Sequence, residues 1–205
     1  MLIRHGETAH NAGGLAQGRV DMPLSELGQR QAEAVAAHLA REQLDAVISS
    51  PLRRARQTAE AIAVRHNLSV ATEPDLSEMD VGDMDGLSGP EMRARYPDIM
   101  RAWGGPEGPS VHLPNGESLE EVQVRAWSAV EHLRAAHGDS TVVMVAHNFV
   151  IATIVCRAIG LPLTHFRRFR HTVASRTVLQ LRDERAVIEV LADTCGLPVV
   201  AERTS

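Results

Sequence analysis

Three places along the chain put reactive side chains where a strand should end: Arg4-His5 near the start, Ser49-Ser50 leading to Arg54, and His147-Asn148 further on. A histidine beside a guanidinium suits work on anions. The imidazole can attack, or carry a proton near neutral pH. The planar fork of arginine pairs with carboxylate or phosphate oxygens two at a time. A carboxyl-rich run, Glu78, Asp80, Asp83 and Asp85, offers groups for general acid–base work. By themselves these residues predict an anion site and name no reaction.

Composition narrows what that site can be. All 21 basic residues are arginine and none is lysine, which excludes lysine Schiff-base chemistry and a P-loop lysine. The formal net charge of −5 argues against a nucleic-acid binder that neutralises phosphates broadly. Phosphate chemistry must therefore come from a local cluster of guanidiniums. Two cysteines, Cys156 and Cys195, build neither a disulfide framework nor a zinc ribbon, and Cys156 lies in an apolar stretch that reads as core. His10, His112, His165 and His171 lack metal-ligand spacing, so no metal and no cofactor is expected. No leader-like segment precedes the domain and no apolar run approaches the roughly 20 residues of a membrane span, which predicts a cytoplasmic protein.

The elements that must position these groups follow from caps and periodicity. Met1-Leu2-Ile3 is a short first strand, and Asn11 to Pro23 reads as a polar, Gly-rich loop. Ser25 caps a helix to about Arg41 with Leu27, Gln31, Val35 and Leu39 on one face. Ala46-Val47-Ile48 is the next strand. Ser50-Pro51 is expected to open a second helix, as a capping hydroxyl followed by proline at the first helical position. Leu52, Ala55, Ala59 and Ile62 form its buried stripe, and Val70 to Thr72 forms a further strand.

From Glu78 to Gly116 the chain is dense in Gly, Pro and Asp, with short helical pieces expected around Pro90–Tyr96 and Ile99–Trp103. Ser118-Leu119-Glu120-Glu121 is a capping box for a helix to about Ala136. Thr141 to Ala146 is apolar and β-branched, as a strand covered on both faces should be, and runs into His147 and a helix to about Ile159. Ser175–Leu181 and Val187–Leu191 flank a turn at Asp183-Glu184-Arg185 and predict a hairpin. The alternation predicts an α/β three-layer sandwich: a mostly parallel central sheet flanked by helices, in one domain over residues 1–205. A lid or specificity insertion is expected at about 79–116. The terminal hairpin offers an edge that could pair in a homodimer.

Five ordered pieces sharpen the chemistry. Arg4-His5-Gly6-Glu7-Thr8-Ala9-His10-Asn11 resembles the R-H-G-E-T-x-x-N signature of the histidine phosphatase superfamily, the phosphoglycerate mutase-like proteins. Gln17-Gly18 with Asp21-Met22-Pro23-Leu24-Ser25 resembles its Q-G…D-x-P-L-[ST] segment, and Leu52 to Ala59 its L-x-R-A-x-Q-T-A segment. Leu76-Ser77-Glu78 is similar to the family's L-x-E acid motif, and Val145-Ala146-His147 to its V-[SA]-H motif. The family usually has glycine after that histidine, where this chain has Asn148. Asparagine is among the few residues besides glycine that tolerate left-handed geometry.

The resemblance implies a phosphoglycerate mutase-like fold and a metal-independent phosphatase that works through a phosphohistidine. It implies His5 as nucleophile, Arg4 and Arg54 as phosphate forks, and His147 as a hydrogen-bond partner of the transferring group. Glu78 would be the general acid. Asn11, Gln17, Gly18 and Asn148 would complete the phosphate cradle. The implied partner is a small phosphorylated metabolite, with no nucleic acid and no membrane. Two alternatives stand beside it: a phosphoglycerate mutase, and a catalytically silent protein that binds a phosphorylated ligand. Only Arg93, Arg95 and Arg101 in the insertion could anchor a second phosphate, which favours the phosphatase.

Overall fold

The computed structural model describes residues 1–182, 185–194 and 196–197. Six strands form one sheet: β1 (Leu2–Arg4), β2 (Ala46–Ser49), β3 (Val70–Thr72), β4 (Val142–Ala146), β5 (Arg176–Arg182) and β6 (Arg185–Asp193). Their order across the sheet is β3-β2-β4-β1-β5-β6. The first four in that order run parallel, whereas β5 is antiparallel to β1 and β6 to β5. The mostly parallel α/β sandwich expected from the alternation is the fold observed.

The apolar runs explain the three layers. Side chains alternate between sheet faces with period two, so Ile3, Val47, Val143 and Val145 join one core while Leu2, Ile48, Met144 and Ala146 join the other. The first core is closed by α2 (Glu26–Leu39) and α3 (Arg53–His66) through Val35, Leu39, Ala55 and Ile62. The second is closed by α6 (Leu119–His137) and α7 (Asn148–Ala158) through Val122, Ala126, Ile151 and Ile154. A strand buried on both faces needs apolar residues at every position, as β4 has.

The caps behave as their residue types dictate. Ser25 Oγ accepts from the Gly28 amide at 3.0 Å, and Ser118 and Glu121 form the expected capping box. The long 78–116 stretch holds α4 (Gly89–Arg95), also opened by a capping box, and α5 (Pro97–Gly104). Within α2 the buried positions include Gly28 and Ala32, while Leu27 is only half-buried. Among the described residues no helix is long and apolar enough to cross a membrane.

Two expectations need correction. The segment from residue 11 to 23 is not all loop, because a short helix α1 (Ala9–Gly13) runs into it. Thr8 and Asn11 bond each other's backbone amides as a reciprocal cap, and Gly14 at φ 67° ends the turn in left-handed geometry. Nor is Ser50 the cap of α3. That helix starts at Arg53 with Leu52 as the flanking residue and no side-chain cap, so Pro51 lies outside it. The Ser50 hydroxyl is committed elsewhere. The C-terminal hairpin forms as β5 and β6, with Asp183 and Glu184 of its turn outside the described residues.

One close approach positions the site. The chain after β1 lies directly on the start of α2: a Cβ on Gly28 would fall 2.0 Å from the Glu7 carbonyl oxygen, and one on Gly6 2.4 Å from the Gly28 carbonyl oxygen. The contact is latched by the Glu7 amide on Gln31 Oε1 at 2.9 Å and by Ser25 Oγ on Glu7 Oε1 at 2.8 Å. Overpacking of a rigid contact costs about 1–3 kcal/mol or more. Gly28→Ala should therefore lower the urea midpoint by that upper amount with the slope unchanged. A midpoint equal to wild type would show that the contact yields freely.

Candidate active site

The carboxyl ends of three parallel strands deliver three residues to one edge. Hydrogen bonding continues one step past each strand: the His5 amide bonds the Ala146 carbonyl and the Ser50 amide the Val145 carbonyl, at 3.1 and 3.0 Å. His147 follows β4 directly and flanks α7. The His5 and His147 rings lie with centroids 5.0 Å apart, both buried. The His5 carbonyl is held by the Ala174 amide at 3.0 Å, and Ala174 is itself a buried non-glycine residue at φ 60°. Strained backbone of this kind persists where surrounding structure over-determines it.

The hydrogen bonds assign the ring protons. His5 Nδ1 lies 2.7 Å from the Gly6 carbonyl oxygen, which can only accept, so Nδ1 carries the proton and Nε2 carries the lone pair. Burial lowers the proton affinity of His5 well below the ordinary histidine range, and the cations of Arg54 and Arg4 lower it further. His147 is lowered in the same way, by burial first and then by Arg54, His5 and Arg4. Both imidazoles are neutral at neutral pH.

Arg54 is the largest fully buried side chain, at 0% exposure. Its Nε–H donates to His147 Nδ1 at 3.2 Å, Nη1 to the Val20 carbonyl at 2.8 Å and Nη2 to the Gly18 carbonyl at 2.7 Å. A guanidinium has five N–H hydrogens, so one on each terminal nitrogen remains. Arg53 and Arg56, its neighbours in the motif, are exposed. Arg4 donates to the His171 carbonyl through Nη1, while its buried Nε has no protein acceptor. Burial lowers the Arg4 pKa to about 10, which leaves it a cation.

Glu78 is the buried acid, 4% exposed. Its carboxyl oxygens accept from the Met79 amide at 2.9 Å and from the Phe149 amide in the first turn of α7 at 3.4 Å. Burial raises its pKa against these bonds and against the pull of Arg54 and Arg4. The competing carboxylates are occupied with structure. Asp80 binds the Gly82 amide, Asp83 the Asn115 side chain, and Asp85 the amides of Gly18 and Val20. Arg125 holds the segment around Glu78 from behind, donating to the carbonyls of Asp75, Ser77 and Glu78 and pairing with Glu117.

Arg4, His5, Arg54, Glu78 and His147 are thus brought together, and the remaining expected residues surround them. Gln17 Oε1 accepts from the Thr8 hydroxyl at 2.7 Å, and its buried Nε2 has no protein acceptor. Asn11 spends its side-chain oxygen on the Thr8 amide at 3.1 Å. The Gly18 amide is taken by Asp85 at 3.2 Å and its carbonyl by Arg54. A Cβ on Gly18 would meet the Met79 carbonyl oxygen at 2.8 Å, so glycine serves a close approach there. Asn148 opens α7 half-buried beside His147. Among the described residues no group of three or more His, Cys, Asp or Glu could hold a metal ion.

Sequence reasoning missed four contributors: Ser50, Thr58, Arg125 and Asp85. Thr58 carried a signal, being a polar residue on the buried stripe of α3; its hydroxyl accepts from the Gly6 amide at 3.1 Å. Arg125 carried one as well, sitting beside the inward-facing Val122 and Ala126. What the arrangement can do is bind a tetrahedral anion between two guanidiniums, attack it with a neutral imidazole and protonate a departing oxygen.

Known proteins match both sequence and fold. The model of the histidine phosphatase superfamily (branch 1) matches residues 1–194. Phosphoserine phosphatase 1 of Hydrogenobacter thermophilus is 38% identical over 197 residues, covering 96% of this chain and 93% of that protein. Phosphoglycerate mutase-like protein 4 of Arabidopsis thaliana is 37% identical over 161 residues, covering 77% and 70%. The native structure of a mycobacterial glucosyl-3-phosphoglycerate phosphatase superposes with a TM-score of 0.85 at 32% identity, covering 94% of this chain and 97% of that one.

Proposed function

The chain belongs to the histidine phosphatase superfamily (branch 1), and from that membership we propose that it hydrolyses small phosphomonoesters without a metal ion, through a phosphohistidine on His5. The observation that carries this reading is the tautomer of His5, whose Nδ1 proton is tied to the Gly6 carbonyl at 2.7 Å, leaving a lone pair on Nε2 among the guanidiniums. A nucleophile of this kind divides one hard displacement into two easier ones.

In the first step the Nε2 lone pair forms the N–P bond as the ester P–O bond breaks, and the Glu78 carboxyl gives its proton to the leaving alkoxide. In the second, the Glu78 carboxylate takes a proton from water, the hydroxide oxygen bonds phosphorus and the P–N bond breaks. Inorganic phosphate leaves and His5 is restored. Arg4, Arg54 and His147 bind the non-bridging oxygens, where charge stabilisation and positioning do most of the catalysis in phosphoryl transfer. Gln17, Asn11, Gly18 and Asn148 border that cradle, and the insertion at about 79–116 selects the alcohol.

The second reading is a phosphoglycerate mutase, favoured by the likeness to the Arabidopsis protein. Against it, Arg93, Arg95 and Arg101 are exposed, and Arg101 is paired with Asp98 at 2.9 Å. The test is release of inorganic phosphate from p-nitrophenyl phosphate, phosphoserine, 3-phosphoglycerate and glucosyl-3-phosphoglycerate with EDTA present. Phosphate should be released, with kcat/KM ranking the substrates. Rapid isomerisation of phosphoglycerates with no release would make the mutase the function.

A further inference from the structure

Within that reaction the structure assigns a role to a residue outside the motif roles above: we propose that Ser50 is a positioning residue whose buried hydroxyl holds His147 as its Nε2–H tautomer and through it aims the Arg54 fork. The role rests on the proposed phosphatase chemistry, and its spectroscopic test does not.

The argument is one of donors and acceptors. The Arg54 guanidinium can only donate, so its 3.2 Å contact makes His147 Nδ1 the lone-pair nitrogen. A neutral imidazole then carries its proton on Nε2. That nitrogen lies 2.7 Å from Ser50 Oγ, with both residues at 0% exposure, so the hydroxyl oxygen is the acceptor. The ring is neutral because it is buried among cations: Arg54 from α3, Arg4 beside His5 at the end of β1, and Arg125 from α6, with His5 as a further neighbour. Glu78 faces the same pocket, bonded to the Phe149 amide of α7.

The opposite tautomer would set an Nδ1–H against the Nε–H of Arg54, two donors head to head. It would also leave Ser50 without its partner. With the observed tautomer, Arg54 is held at three nitrogens and its two remaining N–H hydrogens keep a fixed direction. The Ser50 oxygen also accepts from the Leu52 amide, but at 3.3 Å, and Ser50 does not cap α3. The shorter bond goes to the histidine.

The experiment starts with nitrogen-15 histidine spectra of the intact wild-type protein at neutral pH. His147 should show a protonated Nε2 and a bare Nδ1, and His5 the reverse. A protonated Nδ1 on His147 overturns the proposal whether or not any variant folds. In Ser50→Ala the His147 tautomer should become mixed or inverted. Its kcat should fall about 10- to 100-fold, the scale of one lost buried hydrogen bond, and Ser50→Thr should recover most of both. A Ser50→Ala enzyme with wild-type tautomer and turnover also overturns it. Absence of phosphate release by the wild-type protein would instead count against the phosphatase reading and leave the spectra interpretable.

Discussion

His5→Ala is expected to lower turnover of every phosphomonoester by on the order of 10⁴-fold or more, the scale on which loss of a covalent nucleophile acts elsewhere. No other imidazole can take over. His147 has Nδ1 bonded to Arg54 and Nε2 bonded to Ser50. His171 is buried, with its Nδ1 near Thr177 at 3.4 Å. Phosphate affinity should largely persist, since Arg4 and Arg54 are untouched by the change. The measurement pairs steady-state rates with a quench of the working wild-type enzyme. An acid-labile phosphoryl group should be found on His5 in wild type and nowhere in the variant, whose melting temperature serves as a folding control. Wild-type turnover by His5→Ala would remove the assigned nucleophile altogether.

Glu78→Gln carries the second largest effect, and its size should depend on the leaving group. Glutamine keeps the shape and an acceptor oxygen for the Met79 or Phe149 amide, but has no proton to give. For alkyl phosphates the loss should be about 10²- to 10⁴-fold, the usual span for general acid–base catalysis. The nitrophenolate of p-nitrophenyl phosphate leaves without help, so the first step should survive better there. The second step still lacks its base, so phosphoenzyme should accumulate and nitrophenol should appear as a burst. Equal losses on both substrates, without a burst, would contradict the assignment.

The sign of the pH dependence follows from the same two groups. His5 must be neutral to attack. Burial and the nearby cations push its proton affinity well down, so the rate should hold at pH values below an ordinary histidine's titration. Glu78 must be protonated for the first step. Burial raises its pKa, so the acid form persists to higher pH than in an exposed glutamate, and the rate falls as pH rises through that value. The alkaline limb should vanish in Glu78→Gln.

Local signals were readable from the chain alone, whereas the choice of partners was not. Ser25 and Ser118 announced their helices because a capping hydroxyl acts within three residues. β1 and β4 were legible as apolar runs, and their parallel register followed from alternation with helices. Arg54 was separable from Arg53 and Arg56 only through motif register, and its 0% exposure accords with that choice. Ser50 was misread because a serine before proline is locally a good cap. Its bond to His147, 97 residues away, leaves no trace in local pattern. The short helix at Ala9–Gly13 was hidden by glycine and polar residues, although Thr8 and Asn11 stand at cap spacing. Arg125 looked like a solvated helix position because its acceptors are carbonyls of a distant loop.

The loop at residues 16–20 holds Arg54 through two carbonyls, and the far chain is stitched to that loop at several points. Asp85 grips the Gly18 and Val20 amides, Gly86 bonds Ala16, and Ala16 bonds Leu87. At the other margin, Gly82 is pressed against the Pro114 carbonyl. For anyone building chimeras among relatives, this marks where to cut: residues 89–113 form a cassette that can be exchanged to alter which alcohol is accepted. Splices placed inside 79–88 would instead loosen the clamp on the anion.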